Sequence, residues 1–194
     1  MHHEHHHRPH SADEWARLLE DPERDAWQKP REVVISLDIK PADVVADIGA
    51  GSGYFTRRLA RHAATVYAVD TDEKLLAMAS KGAPDNVRTI LADPNDPRLP
   101  ENSVDLIFIC DVLHHVENRP EYYRKLLKAL KPGGRIVNID FFKKPLPVGP
   151  RPEMKLSEEH VESEFQAAGM RLVTKRLHLL PYQYYLVFTR ASDE

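Results

Sequence analysis

Three of the eight glycines fall within Gly49-Ala50-Gly51-Ser52-Gly53, a density that lets the backbone turn sharply and lets a ligand touch main-chain atoms. The loop follows Val44-Val45-Ala46-Asp47-Ile48, and so stands at the carboxyl end of a strand, where open α/β sheets take their ligands. Tyr54 stands where a dinucleotide fingerprint needs a small residue, which argues against a pyrophosphate cradle. Asp70, 17 residues beyond Gly53, offers a carboxylate to the two hydroxyls of a ribose and repels a ribose phosphate. Asp93, in Ala92-Asp93-Pro94, can accept from the exocyclic amine of an adenine. Asp47, Asp70 and Asp93 at successive strand ends suit a cationic, adenosine-containing ligand.

The elements that must position these groups follow from periodicity. Ser11 and Glu14 form a capping box before Trp15, Leu18 and Leu19, and Pro30 opens a second helix with Val33, Val34 and Leu37 inward. The continuous apolar run at 44–48 reads as a strand buried on both faces of a parallel sheet. Helix Tyr54–His62, strand Thr65–Asp70, helix Glu73–Lys81, and strands Val87–Leu91 and Val104–Cys110 then repeat the βαβ pattern. Asn118 caps a helix, Pro132-Gly133-Gly134 turns the chain into strand Arg135–Asp140, and Pro145, Pro147, Pro150 and Pro152 mark a surface loop. Ser157 caps a last helix, and Arg171–Leu180 with Tyr184–Thr189 reads as an antiparallel hairpin.

The 194 residues are enough for one domain with a full core. A net charge of -3 supplies no basic stripe for a phosphate backbone, so no nucleic-acid partner is expected. The longest apolar runs, such as Val104–Cys110, fall far short of a bilayer span, so no membrane insertion is expected. One cysteine, Cys110, and no apolar leader fit a cytoplasmic setting. The division expected is a His-rich tail over 1–10, a helical lid over 11–42 and a core over 43–194. The His-rich start reads as a tag or a solvated tail, with metal binding through His2, His3, His5, His6 and His7 as the alternative, and no metal ligand is expected in the core.

Taken together, the run 45–53, Asp70, Asp93, the stretch Asp105-Leu106-Ile107-Phe108-Ile109-Cys110-Asp111-Val112-Leu113-His114-His115-Val116 and Leu130-Lys131-Pro132-Gly133-Gly134 resemble the class I S-adenosylmethionine-dependent methyltransferases. The similarity is to their small-molecule, type 11 branch, which includes quinone-precursor enzymes. It implies a Rossmann-like, doubly wound, seven-stranded and mostly parallel α/β sheet with an antiparallel last strand and helices on both faces. It also implies S-adenosyl-L-methionine as cofactor, with Asp47 at the methionyl amine, Asp70 at the ribose and Asp93 at the adenine amine. Gly49, Ala50, Gly51, Gly53, Tyr54, Thr71, Pro94 and Cys110 would line the cofactor.

The Asn/Asp-Pro-Pro-Tyr motif of amino-directed nucleic-acid methyltransferases is absent, since Cys110-Asp111-Val112-Leu113 stands in its place. A small-molecule acceptor is therefore expected. Asp111, His114, His115, Asp140, Tyr182 and Tyr184 are candidate bases by position, and Trp27, Phe141, Arg151 and Tyr184 are candidate walls of the acceptor pocket. Trp27 and Tyr54 would bound the sulfonium through their aromatic faces. Competing readings are a catalytically silent adenosyl-ligand sensor or partner subunit, a metal or metalloid handler using the His-rich tail, and a nicotinamide-dependent oxidoreductase.

Overall fold

The computed structural model describes residues 11–192, the side chain of Trp15 excepted. Three helices, α1 (Ala12–Leu19), α2 (Arg24–Gln28) and α3 (Pro30–Ser36), precede β1 (Val44–Ile48). The sequence predicts two helices here; α2 is five residues of weak apolar pattern, ended by Lys29 in a left-handed conformation. Then come α4 (Thr56–Leu59), β2 (Thr65–Asp70), α5 (Glu73–Ser80), β3 (Val87–Leu91), β4 (Val104–Cys110), α6 (Arg119–Ala129), β5 (Leu130–Phe141), α7 (Glu158–Ala167), β6 (Met170–Arg176) and β7 (Gln183–Arg190). Ser11, Asp72 and Ser157 accept backbone N–H bonds at the starts of α1, α5 and α7, satisfying donors the helix itself cannot.

The strands form one seven-stranded sheet in the order β3-β2-β1-β4-β5-β7-β6. The first five pair in parallel, and β7 inserts antiparallel between β5 and β6. One face carries Val45, Leu106, Phe108, Val137 and Ile139 against Val33, Leu37, Phe55 and Leu59 of the α3 and α4 region. The other packs Ala46, Ile107, Ile109 and Leu186 against Tyr123, Leu126, Val161 and Phe165 of α6 and α7. The predicted turn at Pro132-Gly133-Gly134 lies inside β5, where Val104 pairs Leu130 and Leu106 already pairs Arg135, so the extra residues form a bulge. Helix α4 is shorter than the predicted Tyr54–His62.

Strand order reverses between β1 and β4, and a crevice at their carboxyl ends is the expected ligand position of such a sheet. The two exits touch there. Gly49 has φ +69, and a Cβ on it would meet Val112 Cγ2 at 2.3 Å, so only glycine lets the β1 exit pass beneath the β4 exit.

Candidate functional site

The crevice is built on carboxylates. Asp47 is 3% exposed and accepts a bond from the Thr56 hydroxyl at 2.7 Å. Burial pushes its pKa to about 7, against the Thr56 bond, so an adjacent cation would hold it ionised. Asp70 Oδ2 accepts from the Gly51 N–H at 2.8 Å and Oδ1 from the Asp72 N–H at 3.0 Å. Each oxygen keeps a second lone pair, so these bonds orient the carboxylate without exhausting it. A buried acid that needs a cation, a carboxylate fixed by backbone donors and a glycine loop between them fit a methionyl ammonium and a ribose.

The N-terminal helices lie over this cradle. A Cβ on Gly51 would meet Leu19 Cδ1 at 2.7 Å, and Glu20 accepts from the Ser52 hydroxyl and from Arg57 at 2.8 Å each. Arg24 donates to the Leu19 carbonyl and places its guanidinium 4.0 Å from the centre of the Tyr54 ring; Arg58 lies 4.2 Å from the same centre. Two protein cations thus engage the ring that the sequence reading set beside the sulfonium. The cause is local: Tyr54 donates its hydroxyl to Asp25 of α2, which brings Arg24 onto the ring.

On the acceptor side, His114 Nδ1 lies 3.0 Å from both Asp140 oxygens, and Asp140 also accepts from the Phe141 N–H. Burial alone would lower the His114 pKa, but the Asp140 bond and the charges of Asp140 and Asp111 outweigh it and raise it. Asp111, at φ +61 just past β4, is pushed up by burial and then by Asp140, and is supported by Arg24, His114 and a bond from Gln183 at 2.6 Å. Cys110 is buried and donates its thiol toward Asp111 Oδ2 at 3.6 Å. Asp111, His114 and Asp140 are therefore brought together.

The expected walls are placed unequally. Phe141 is buried, with Trp27 5.6 Å away between ring centres, and Tyr182 lies 6.3 Å from Trp27. A Cβ on Gly149 would strike the Phe141 ring, and the Lys155 ammonium lies 5.6 Å from its centre, so the Pro-rich loop closes over Phe141. Tyr184 is fully buried and bonds the Leu156 carbonyl, as packing in the wall requires. Arg151 is exposed on the loop, and His115 is exposed beside His114. Thr71 and Pro94 are exposed near Asp70 and Asp93, and Asp93 pairs with Arg98 of its own loop at 2.8 Å.

The histidines at positions 2–7 lie outside the described residues. Among the described residues, no group of three or more His, Cys, Asp or Glu could hold a metal ion. Sequence reading gave no role at the site to Thr56 and Lys155, and placed Arg24 and Gln28 only as neighbours of Trp27 in the N-terminal cover. A Thr nine residues after Asp47 on the following helix was a signal for the first; the others touch the site only through tertiary contacts.

Residues 46–138 match the family described as a methyltransferase domain. Phosphoethanolamine N-methyltransferase 3 of Arabidopsis thaliana is 29% identical over 119 residues, covering 59% of this chain and 24% of that protein. The ubiquinone/menaquinone biosynthesis C-methyltransferase of Ectopseudomonas mendocina is 30% identical over 113 residues, covering 54% of this chain and 44% of its own length. The chain thus spans from about a quarter to under half of these curated relatives. A SAM-dependent methyltransferase from Aquifex aeolicus superposes with a TM-score of 0.84 at 25% identity, over 93% of this chain and 98% of that one. The matched domain, the fold and these relatives identify a domain of the class I S-adenosylmethionine-dependent methyltransferases, whose cofactor is S-adenosylmethionine.

Proposed function

We propose that this chain transfers the sulfonium methyl of S-adenosylmethionine to a small-molecule acceptor. The observation that carries the reading is the juxtaposition, at one end of the sheet, of the Asp47, Asp70 and glycine-loop cradle with the half-buried residues Asp111 and His114 and the buried Asp140. The cofactor, when bound, supplies a methyl on a cationic sulfur whose charge is lost on transfer. Asp47 and Asp70 would hold its ends, and Asp93 would meet the adenine if Arg98 yields. Placement and exclusion of water supply most of the rate of such an in-line displacement, and the α1–α2 cover serves both.

Where the acceptor must lose a proton, His114 is the base. Asp140 accepts only, so it draws the imidazole proton to Nδ1 and leaves the lone pair on Nε2. By their names, the curated relatives are a phosphoethanolamine N-methyltransferase and a C-methyltransferase of ubiquinone/menaquinone biosynthesis, which supports a small acceptor. The helices over residues 11–42 act as a lid in this reading. A cytoplasmic site of action accompanies it; no helix among the described residues is long and apolar enough to cross a membrane. The test is release of S-adenosylhomocysteine by the full chain with S-adenosylmethionine and a panel of phenols, quinols, amines, acids and thiols. An acceptor-dependent signal supports the proposal, and tight cofactor binding with no release across the panel favours a silent binding domain.

A further inference from the structure

A chain of three side-chain links crosses the buried interior from α2 to the end of β4. Arg24 donates through Nε and Nη2 to Gln28 Oε1 at 3.3 and 3.2 Å. Gln28 Nε2 donates to Gln183 Oε1 at 2.7 Å, and Gln183 Nε2 donates to Asp111 Oδ1 at 2.6 Å. Both glutamines have no exposed surface, and Arg24 has 9%.

The direction of the chain is forced. A guanidinium only donates, so Gln28 must turn its oxygen toward Arg24 and its nitrogen toward Gln183. Gln183 must then accept from Gln28 and donate onward, which requires an accepting oxygen at Asp111. Reversing any link sets two donors or two acceptors face to face, and at the fully buried glutamines unpaired polar groups are costly. The relay joins segments 155 and 72 residues apart in sequence, so it exists only when α2 is docked against the β7 and β4 ends.

We propose that Gln28 and Gln183 are positioning residues that transmit docking of α2 to Asp111, fixing its carboxylate as an acceptor beside His114 at the methyl-acceptor site. The significance of Asp111 for catalysis rests on the methyltransferase reading; the relay itself does not. Asp111 is faced by Asp140 of β5, His114 after β4, Cys110 of β4, Arg24 of α2 and Tyr184 of β7. Of these, Asp140 opposes its ionisation, while Arg24, His114 and the Gln183 amide favour it. An undocked α2 takes away Arg24 and the Gln28 bond that aims the Gln183 amide at Asp111. A docked α2 and an amide donor aimed at Asp111 are therefore linked.

The experiment is a pH titration of the Asp111 carboxyl in the full chain labelled with 13C at aspartate carboxyls, the resonance being assigned by its loss in Asp111→Asn. Gln28→Met keeps the side-chain volume and deletes the amide without touching Asp111. Gln28→Glu keeps the acceptor for Arg24 and removes the donor to Gln183. Each is expected to raise the Asp111 midpoint by about half a pH unit or more, a size within ordinary environmental shifts. An unmoved midpoint in either folded variant overturns the relay. Calorimetry with S-adenosylhomocysteine is run on the same wild-type sample. Failure to bind there counts against the methyltransferase reading and leaves the titration to judge the relay on its own.

Discussion

His114 Nδ1 stands 3.0 Å from each oxygen of Asp140, and neither side chain exposes more than 3% of its surface. A carboxylate held against one ring nitrogen fixes the tautomer and orientation of the other, which is what a general base needs and what a surface histidine lacks.

Asp140→Asn and His114→Asn are each expected to lower turnover of a proton-losing acceptor by about 10²–10⁴, the usual reach of general-base catalysis. Affinity for S-adenosylhomocysteine should hold within about twofold. In the wild type, turnover should rise with pH through a midpoint above 6.5, because the His114 pKa is raised. The same shift stabilises the fold below the unfolded value, and this stabilisation is lost as pH rises through the folded value. Turnover that is flat with pH for such an acceptor would remove His114 from the reaction.

Asp47 shifts stability with pH in the same direction, over a lower interval. Its folded pKa is raised from 3.8 to about 7, so the folded state keeps a proton that the unfolded chain releases, and stability falls as pH climbs across that interval. Asp47→Asn should therefore raise the melting temperature at about pH 8 and change it little near pH 4. Cofactor binding should strengthen from about pH 6 to about pH 8 in the wild type, with proton release, and lose that dependence in the variant. Equal melting temperatures at both pH values would show that the Asp47 burial costs nothing.

The strands were legible because buried parallel strands are continuous apolar runs, and the cofactor side because glycines and strand-end acids sit at fixed offsets along one segment. The acceptor side was legible only as a set of candidates. Asp111, His114 and Asp140 read as polar residues near strand ends, and nothing in their spacing says that β5 brings Asp140 under His114. Gln28 and Gln183 are neutral amides with no motif, and a contact across 155 residues leaves no local trace. Leu130–Phe141 was read short because Pro and Gly usually punctuate, whereas here they fill a bulge that neighbouring pairs tolerate.

Asp70 tests the cofactor side directly. Asp70→Ala is expected to weaken S-adenosylmethionine binding by about 1.5–3 kcal/mol, the range for bonds to a charged group. Part of that loss comes from the Gly51 N–H, which Asp70 now fixes at 2.8 Å. Asp70→Asn retains an acceptor for one N–H and should fall between. Isothermal calorimetry separates the three proteins, and equal affinities would remove the ribose assignment.

Trp27 joins α2 to Phe141 and Tyr182 of the proposed acceptor wall. Its ring lies 5.6 Å from that of Phe141 at the end of β5 and 6.3 Å from that of Tyr182 before β7, while the neighbouring Gln28 enters the relay to Asp111. Each such aromatic pair is worth about 0.5–1.5 kcal/mol beyond its buried area, enough to bias a short helix between docked and undocked positions. A merely structural Trp27 would lose stability and turnover together on truncation. A docking Trp27 would lose turnover first, because the strands would stay paired while α2 loses its aromatic anchor. In a Trp15→Phe background the emission reports Trp27 alone. It should shift on saturating with S-adenosylhomocysteine if the cover tightens, and Trp27→Ala should lower turnover by a larger factor than its melting temperature implies, with Trp27→Phe restoring most of it. Emission indifferent to the nucleoside, together with a Trp27→Ala loss that tracks stability alone, would make α2 scaffold rather than cover.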